Sequence, residues 1–250
     1  MKITGIVITQ NEENNITPCL ESMDFLDEVM VVDSGSTDNT IELAKKFNVK
    51  IYTPQIENVT RKRKFSLEKS IYDWIIFVDA DERISPELKN EIESLQKAGV
   101  ETPVSGYYIN RKNFYFGKWV KHCGIYPDYH IRLFNRKKSE ITERIVHEGI
   151  IVKGETARLN GHLIHYTVDD MTHMIRKINY YSTMQSIEYF GLKKKVSKTL
   201  VVGKAMSAFL RVYISRGGFK DGFRGFLVSL SDSLVNFLTN LKLLRLYNKL

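Results

Sequence analysis

The chain has 250 residues, 43% of them hydrophobic and 26% charged, which suits one α/β domain with a full core and a smaller C-terminal addition. Its formal charge of +8 and pI near 9.3 favour anionic partners: nucleotide phosphates, nucleic acid or an acidic membrane surface. A transmembrane helix is excluded by the lack of any run of about 20 uncharged apolar residues, and a cysteine metal cluster by the isolation of Cys19 and Cys123.

The opening MKITGIVITQNEENN turns polar after a strand-length run, so no signal segment is expected, and structural thiols in a reducing cytoplasm fit the cysteine usage. KITGIVIT predicts a first strand, followed by polar QNEENN and a helix-like ITPCLESM. DEVMVVDSG is a second apolar run that ends on Asp33 and Gly35. STDNTIELAKKF reads as a capped helix, with Ser36, Thr37 or Asp38 able to accept from its free amides. VKIYT gives a third strand, VTRKRKFSLEKS a helix with one basic face, and DWIIFVDA a fourth strand. The fourth lacks alternation, which predicts burial on both faces, as in a parallel sheet. SPELKNEIESLQKAG starts with Ser85 as N-cap and Pro86 at the first helical position, and ends at Gly99. This alternation predicts an α/β fold with a doubly wound, mostly parallel sheet.

The character changes after Gly99. VSGYYINRKNFYFGKWV, DYHIRLFNRKKS and EGIIVKG are β-like, aromatic and basic, with short turns. From Asp169 onward three segments read as helices: MTHMIRKINYYSTMQSIEYFG, KTLVVGKAMSAFLRVYIS and GFRGFLVSLSDSLVNFLTNLKLLRLY. No internal repeat or low-complexity linker interrupts them.

In an open parallel sheet, ligands bind outside the carboxyl ends of the strands. Asp33 closes the second strand and Asp79 the fourth, so their carboxylates converge on one edge. A buried strand ending in Asp79-Ala80-Asp81 suits Mg²⁺ or Mn²⁺, because hard cations take carboxylates and share them with substrate phosphates. The plainer alternative is an acidic cap on the next helix, a place that Ser85 already fills.

ITQNEENNI, VVDSGSTDNT and FVDADE, in this order with helices between them, resemble the nucleotide-binding half of family 2 glycosyltransferases over residues 1–100. The resemblance implies the GT-A fold and inversion at the anomeric carbon. YPDYHIRLFNRKKSEIT, VHEGI and LIHY are similar to a subgroup that adds glucose or related sugars to the inner core of bacterial lipopolysaccharide. Residues 1–168 then form the catalytic domain, with a nucleotide-binding half at 1–100 and an acceptor half at 101–168. Residues 169–250 form a helical C-terminal region.

The resemblance assigns roles. Thr9, Asn11 and Glu12 hold the nucleobase and ribose, and Asp33 reads the base, commonly uracil. Asp79 lies near ribose and metal, and Asp81 is the principal ligand of a divalent cation, Mg²⁺ or Mn²⁺. Arg61, Lys62 or Arg63 faces the nucleotide, unless they are only a solvated helix face. Arg132 is a candidate phosphate ligand, with an ordinary strand arginine as the alternative. An inverting transfer also needs a carboxylate base away from the metal acids. Glu148 in IVHEG is the first candidate and Asp128 in YPDYH the second. A zinc-protease reading of the HE pair fails, since no His follows at the required spacing. His147 is expected to belong to the subgroup's His-Glu pair, with an ordinary packed histidine as the alternative. His162 and His165 read better as satisfied strand residues than as further metal ligands.

Phe223, Phe226, Leu227, Leu230, Leu234, Phe237, Leu238 and Leu241 repeat at helical spacing and form one apolar face. Packing within the protein or against another subunit is the plain reading. Monotopic contact with an anionic membrane is the sharper one, since Lys193 to Lys195, Arg211, Arg216, Lys220 and Arg224 lie nearby. The expected activity is metal-dependent hexosyl transfer from a nucleoside diphosphate sugar, a UDP-sugar first, to a glycan or lipid-linked saccharide. The setting is the cytoplasm or the inner face of the plasma membrane. Transfer to a polyprenyl phosphate carrier is the alternative, weakened by the missing membrane helices. A sugar nucleotidyltransferase would need a glycine-rich loop near the N-terminus, which is lacking. A nucleic-acid module is conceivable around RKNFYFGKW, but carboxylates at strand ends repel phosphate, so no nucleic-acid partner is expected.

Overall fold

Isoleucine and valine fill the first strand, β1 (Ile3–Thr9), and six of its seven residues are buried. The chain continues through α1 (Ile16–Glu21), β2 (Glu28–Asp33), α2 (Thr40–Ala44), β3 (Lys50–Tyr52), α3 (Val59–Lys69), β4 (Trp74–Asp79), β5 (Glu82–Ile84) and α4 (Pro86–Ala98). The computed structural model describes residues 1–56, 58–99, 103–142 and 149–248, so His147 and Glu148 lie outside the described residues. β1 sits between β2 and β4, parallel to both, and β3 extends the parallel set beyond β2.

That central position explains the sequence pattern. Alternate residues of β1, β2 and β4 enter two separate cores. Ile3, Val7, Val31 and Ile76 pack with Leu20, Leu88 and Ile92 from the helices on one face. Ile6, Met30, Ile75 and Phe77 pack on the other face against Phe65 of α3. With both faces covered, alternation between polar and apolar residues has no purpose. Glu28, buried at the start of β2, accepts from Thr4 Oγ1 (2.6 Å), Ile71 N (3.0 Å) and Lys50 Nζ (2.8 Å). Burial raises its carboxyl, but these donors hold it below its ordinary value.

The helix starts follow local chemistry. Ser85 Oγ accepts from Leu88 N, Pro86 takes the first helical position, and Gly99 closes α4 with φ of 71°. The N-cap of α2 is Asn39, which makes no side-chain capping bond. Asp38, one of the three expected acceptors, takes the first helical amide, Thr40 N, and also accepts from Glu13 N. The other two turn away from the helix: Ser36 Oγ donates to Asp33 and Thr37 Oγ1 to Asn11 Oδ1.

Beyond α4 the strands are β6 (Val104–Tyr115), β7 (Lys118–Trp119), β8 (Tyr129–Asn135), β9 (Ser139–Ile141), β10 (Ile150–Val152) and β11 (Glu155–Val168). The sheet order is β3-β2-β1-β4-β8-β6-β11-β5, with β7 paired to β6. β8 runs antiparallel to β4, β6 antiparallel to β8, and β5 antiparallel to β11. The sheet is thus parallel in its first four strands and mixed as a whole. β9 and β10 form a separate antiparallel pair.

The described residues fall into two compact units, one of residues 1–111, 128–142 and 149–165, the other of 112–127 and 166–248. The second is built on α5 (Met171–Gly191), α6 (Val201–Leu210) and α7 (Gly222–Leu246). α7 packs along both α5 and α6. Leu227 joins Val168, Met174 and Ile178 in one core, and Val228 joins Val120, Cys123 and Val212 in another. Among the described residues no helix is long and apolar enough to cross a membrane.

Two glycines test the packing. A Cβ at Gly161 in β11 would lie 2.4 Å from the backbone of Leu88, whereas one at Gly203 in α6 meets nothing within 4 Å. Gly161→Ala should cost ~1–3 kcal/mol by overpacking, lowering the melting temperature by about 2–4 °C per kcal/mol. Gly203→Ala should leave the melting temperature unchanged or raise it, since Ala is the better helix former by ~1 kcal/mol. Thermal melts followed by circular dichroism check both.

Candidate active site

Parallel register brings three of the expected residues to one edge. Thr9 of β1 pairs with Asp33 of β2, and Ile8 pairs with Asp79 of β4. Asp33 is buried and shapes the loop that follows it: Oδ2 accepts from Gly35 N and Ser36 N at 2.9 Å, and Oδ1 from Ser36 Oγ at 2.5 Å. Gly35 has φ of 86°, a conformation open to glycine without strain. The loop after β1 is laced to this one. Asn11 N donates to Ser36 Oγ and Asn11 Oδ1 accepts from Thr37 N, both at 2.8 Å. Glu12 N donates to Thr40 Oγ1 at 2.7 Å. Thr9 Oγ1 is buried and has no hydrogen-bond partner among the described residues.

At the end of β4, charges of alternating sign form a chain. Arg63 Nη2 lies 3.8 Å from Asp79 Oδ1, and Arg132 Nη2 lies 2.8 Å from Asp79 Oδ2. The same Arg132 nitrogen is 2.7 Å from Glu82 Oε1, and Arg111 Nη1 approaches that oxygen at 3.5 Å. Arg111 Nη2 then reaches Asp128 Oδ2 at 2.8 Å, and His130 Nε2 reaches Asp128 Oδ1 at 2.7 Å. Glu82 is fully buried and also accepts from Asp79 N. Close packing alone would raise the Asp79 carboxyl, but Arg132, Arg63 and Arg111 hold it well below the usual carboxylate range. For Glu82 burial prevails: it pushes the carboxyl up, and Asp79 adds to the rise against the pull of Arg132.

Asp81 has a different partner. β5 pairs with β11 so that Glu82 faces His165, and His165 Nε2 stands 3.2 Å from Asp81 Oδ2. His162 lies beside Ser85 instead: its carbonyl accepts from Ser85 N, and its amide donates to Ser85 Oγ. Among the described residues no group of three or more His, Cys, Asp or Glu could hold a metal ion. Asp81 and His165 are the residues that would offer donors to a divalent cation here. Asp79, committed to two guanidinium groups, fits a supporting part better than a ligating one. The turn between these acids is pinned by Arg83, which donates to Ala80 O, Glu82 O and Asn15 Oδ1. Cys19 lies beneath it, its thiol raised by burial, with Sγ 3.6 Å from Asp79 O.

The structure therefore brings together Asp79, Asp81, Arg63, Arg132 and Asp128, with Thr9 and Asp33 on the neighbouring strand ends. Of the basic residues on α3, Arg63 turns inward, with its guanidinium 5.4 Å from the Phe77 ring centroid. Lys62 is buried and Arg61 exposed, so Arg61 stands outside the cluster. Arg132, expected as a phosphate ligand, is buried between two carboxylates, because the antiparallel pairing of β8 with β4 directs it there. Its Nε has no partner among the described residues. Glu82, Arg111 and His130 were not anticipated. The alternation in DYHIR carried a signal, since His130 and Arg132 stand two residues apart in β8 and Asp128 immediately precedes it.

Carboxylates and guanidinium groups gathered outside the carboxyl ends of parallel strands define an α/β protein of the kind that binds phosphate-bearing ligands at a sheet edge. Residues 4–154, more than half of the chain, match the family described as glycosyl transferase family 2, and the chain belongs to that family. It is similar to a glycosyltransferase of Rickettsia typhi described as uncharacterized, with 29% identity over 97% of this chain and 86% of the relative. It is also similar to the lipopolysaccharide core biosynthesis glycosyltransferase LpsC of Rhizobium meliloti, with 26% identity over 97% and 92%. The crystal structure of S. aureus TarS 1–349 in complex with UDP-GlcNAc aligns with a TM-score of 0.51 and 16% identity, covering 99% of this chain and 92% of that one. That likeness bears on the fold, which is GT-A.

Arg132→Met should leave Glu82 buried without its main partner and destabilise the protein by about 3–5 kcal/mol. Arg61→Ala, on the exposed face of α3, should stay within about 0.5 kcal/mol of the parent. Urea unfolding measures the two.

Proposed function

We propose that the protein is an inverting hexosyltransferase that moves a sugar from UDP to a saccharide acceptor of the cell envelope, with lipopolysaccharide core as the favoured setting. The observation that carries this reading is the pairing of Asp81 with His165 beside the Asp79–Arg132–Glu82 cluster at the carboxyl end of β4. Similarity to a lipopolysaccharide core enzyme supports the acceptor class, and the UDP-GlcNAc held by TarS supports the donor class. In this reading residues 1–168 do the chemistry, and residues 169–250 serve location.

Asp33 accepts from the N3–H of uracil, a donor that adenine lacks in that position. Thr9, Asn11 and Glu12 stand on the nucleoside side. Arg63 and Asp79 sit at the diphosphate and ribose. Asp81 and His165 hold Mg²⁺ or Mn²⁺, which when bound neutralises charge on the leaving diphosphate. The acceptor oxygen forms its bond to the anomeric carbon as the bond to the diphosphate breaks, and the hydroxyl proton passes to a carboxylate. Asp128 and Glu148 are the candidates. Asp128 is favoured here: its side chain is 24% exposed, and Arg111 links it to the cluster around Asp79. A lipid-linked acceptor would bring the enzyme to the inner membrane face.

Calorimetric titration of UDP in the presence of Mn²⁺ tests the donor site. Asp81→Ala and His165→Ala should weaken binding at least about tenfold, a change of ~1.4 kcal/mol, and EDTA should do the same to the parent. Equal affinity for UDP and ADP would remove Asp33 from its role. For the base, Asp128→Asn should lower turnover about 10²–10⁴-fold with donor affinity intact. If Glu148→Gln shows that pattern and Asp128→Asn does not, the role belongs to Glu148.

A further inference from the structure

Helix α6 is apolar on two faces, and only one of them is packed. Val201, Ala205, Ala208 and, in the following turn, Val212 are buried on the face that meets α7. Val202, Met206, Leu210 and Ile214 recur every four residues on the other face and are each between 45% and 65% exposed. A helix on a protein surface ordinarily turns charged or polar residues to water. Gly203 and Ser207 open a groove of about 600 Å³ along this face, lined also by Met206, Leu210, Arg211 and Ile214.

Aromatic rings continue the surface. Phe209, Tyr213, Phe219, Phe223 and Phe226 form an unbroken cluster with centroid separations of 5.3–6.4 Å. Phe223 is 70% exposed and Phe219 51%. Residues 192–226 contain nine lysines and arginines and one acid, Asp221. That acid is occupied by the amides of Lys121 and His122 and by the His122 ring. Lys193, Lys195, Lys198 and Lys204 are exposed.

Charge decides what covers such a face. A second copy laid on it would oppose these cations to each other, which is unfavourable. An anionic bilayer complements both features: aromatic rings settle at headgroup depth, and lysines meet lipid phosphates. We infer that α6 and the Phe209–Phe226 aromatic cluster dock in the interface of a bilayer carrying anionic lipid, lying in its plane without crossing it. The seam expected on α7 contributes its exposed N-terminal end, Phe223 and Phe226, while Leu227 is consumed by internal packing. The inference is independent of which sugar is transferred.

Flotation of the full chain with phosphatidylcholine vesicles, with and without phosphatidylglycerol, tests it. Binding should require phosphatidylglycerol and fall with salt. Leu210→Ser with Phe223→Ser should weaken it at least about tenfold through lost apolar burial. Lys193→Gln, Lys195→Gln and Lys198→Gln together should also weaken it. UDP affinity, read separately, should be the same in both variants, which separates lost docking from misfolding and from failure of the donor reading. Equal binding to neutral vesicles, or no binding to either kind, would overturn the inference. So would a dimer in sedimentation velocity that the Leu210→Ser, Phe223→Ser variant abolishes.

Discussion

The guanidinium of Arg132, held between Asp79 and Glu82, is the interaction on which the rest of the site depends. Glu82 is fully enclosed, and a carboxylate there is tolerable only with a charged partner and hydrogen bonds to its lone pairs. Arg132 supplies the first, and the Asp79 amide one of the second. One side chain from β8 thereby joins the last parallel strand to the turn that presents Asp81. Arg111 extends the same logic to Asp128. Each inner member is shared between two partners, so deleting one strips its neighbours of part of their counter-charge.

The parallel strands make that cluster possible by the way they are buried. β1, β2 and β4 are covered on both faces, so their side chains have one arrangement and their ends one height. The loops after β1 and β2 are then tied to each other by short polar side chains rather than by an apolar core. Ser36, Asn11 and Thr40 spend their hydrogen-bonding capacity across the two loops, while Asp33 fixes the shape of its own. A loop built this way is held in place by hydrogen bonds without being buried.

The helical unit shows the same principle with the opposite outcome. Of the apolar row expected on α7 only Leu227 is buried, while Val228, Leu243 and Leu244, outside that row, are enclosed by the helical unit. α6 carries a second apolar row for which the described residues offer no partner. Hydrophobic burial is non-directional, so a pattern of apolar residues demands cover without specifying its source.

Much of this was legible in the residues themselves. Four strands, the Ser85 cap, the Gly99 stop, the positions of Asp33 and Asp79 at strand ends and the family all follow from local pattern, because capping, periodicity and turn chemistry act over a few residues. At the start of α2 Asp38 takes the first helical amide, as its residue type allows, but Ser36 is bonded to a loop 25 residues away. Arg132 looked like a ligand for phosphate and is instead the counter-ion of acids 50 and 53 residues distant. His165 looked like an ordinary strand histidine, yet it meets Asp81 across 84 residues of sequence. Such pairings arise when β8 joins β4 and β11 joins β5, and strand pairing is selected by the packing of the whole sheet. The residue types could be read along the chain, but their partners were decided only when distant strands came to share an edge.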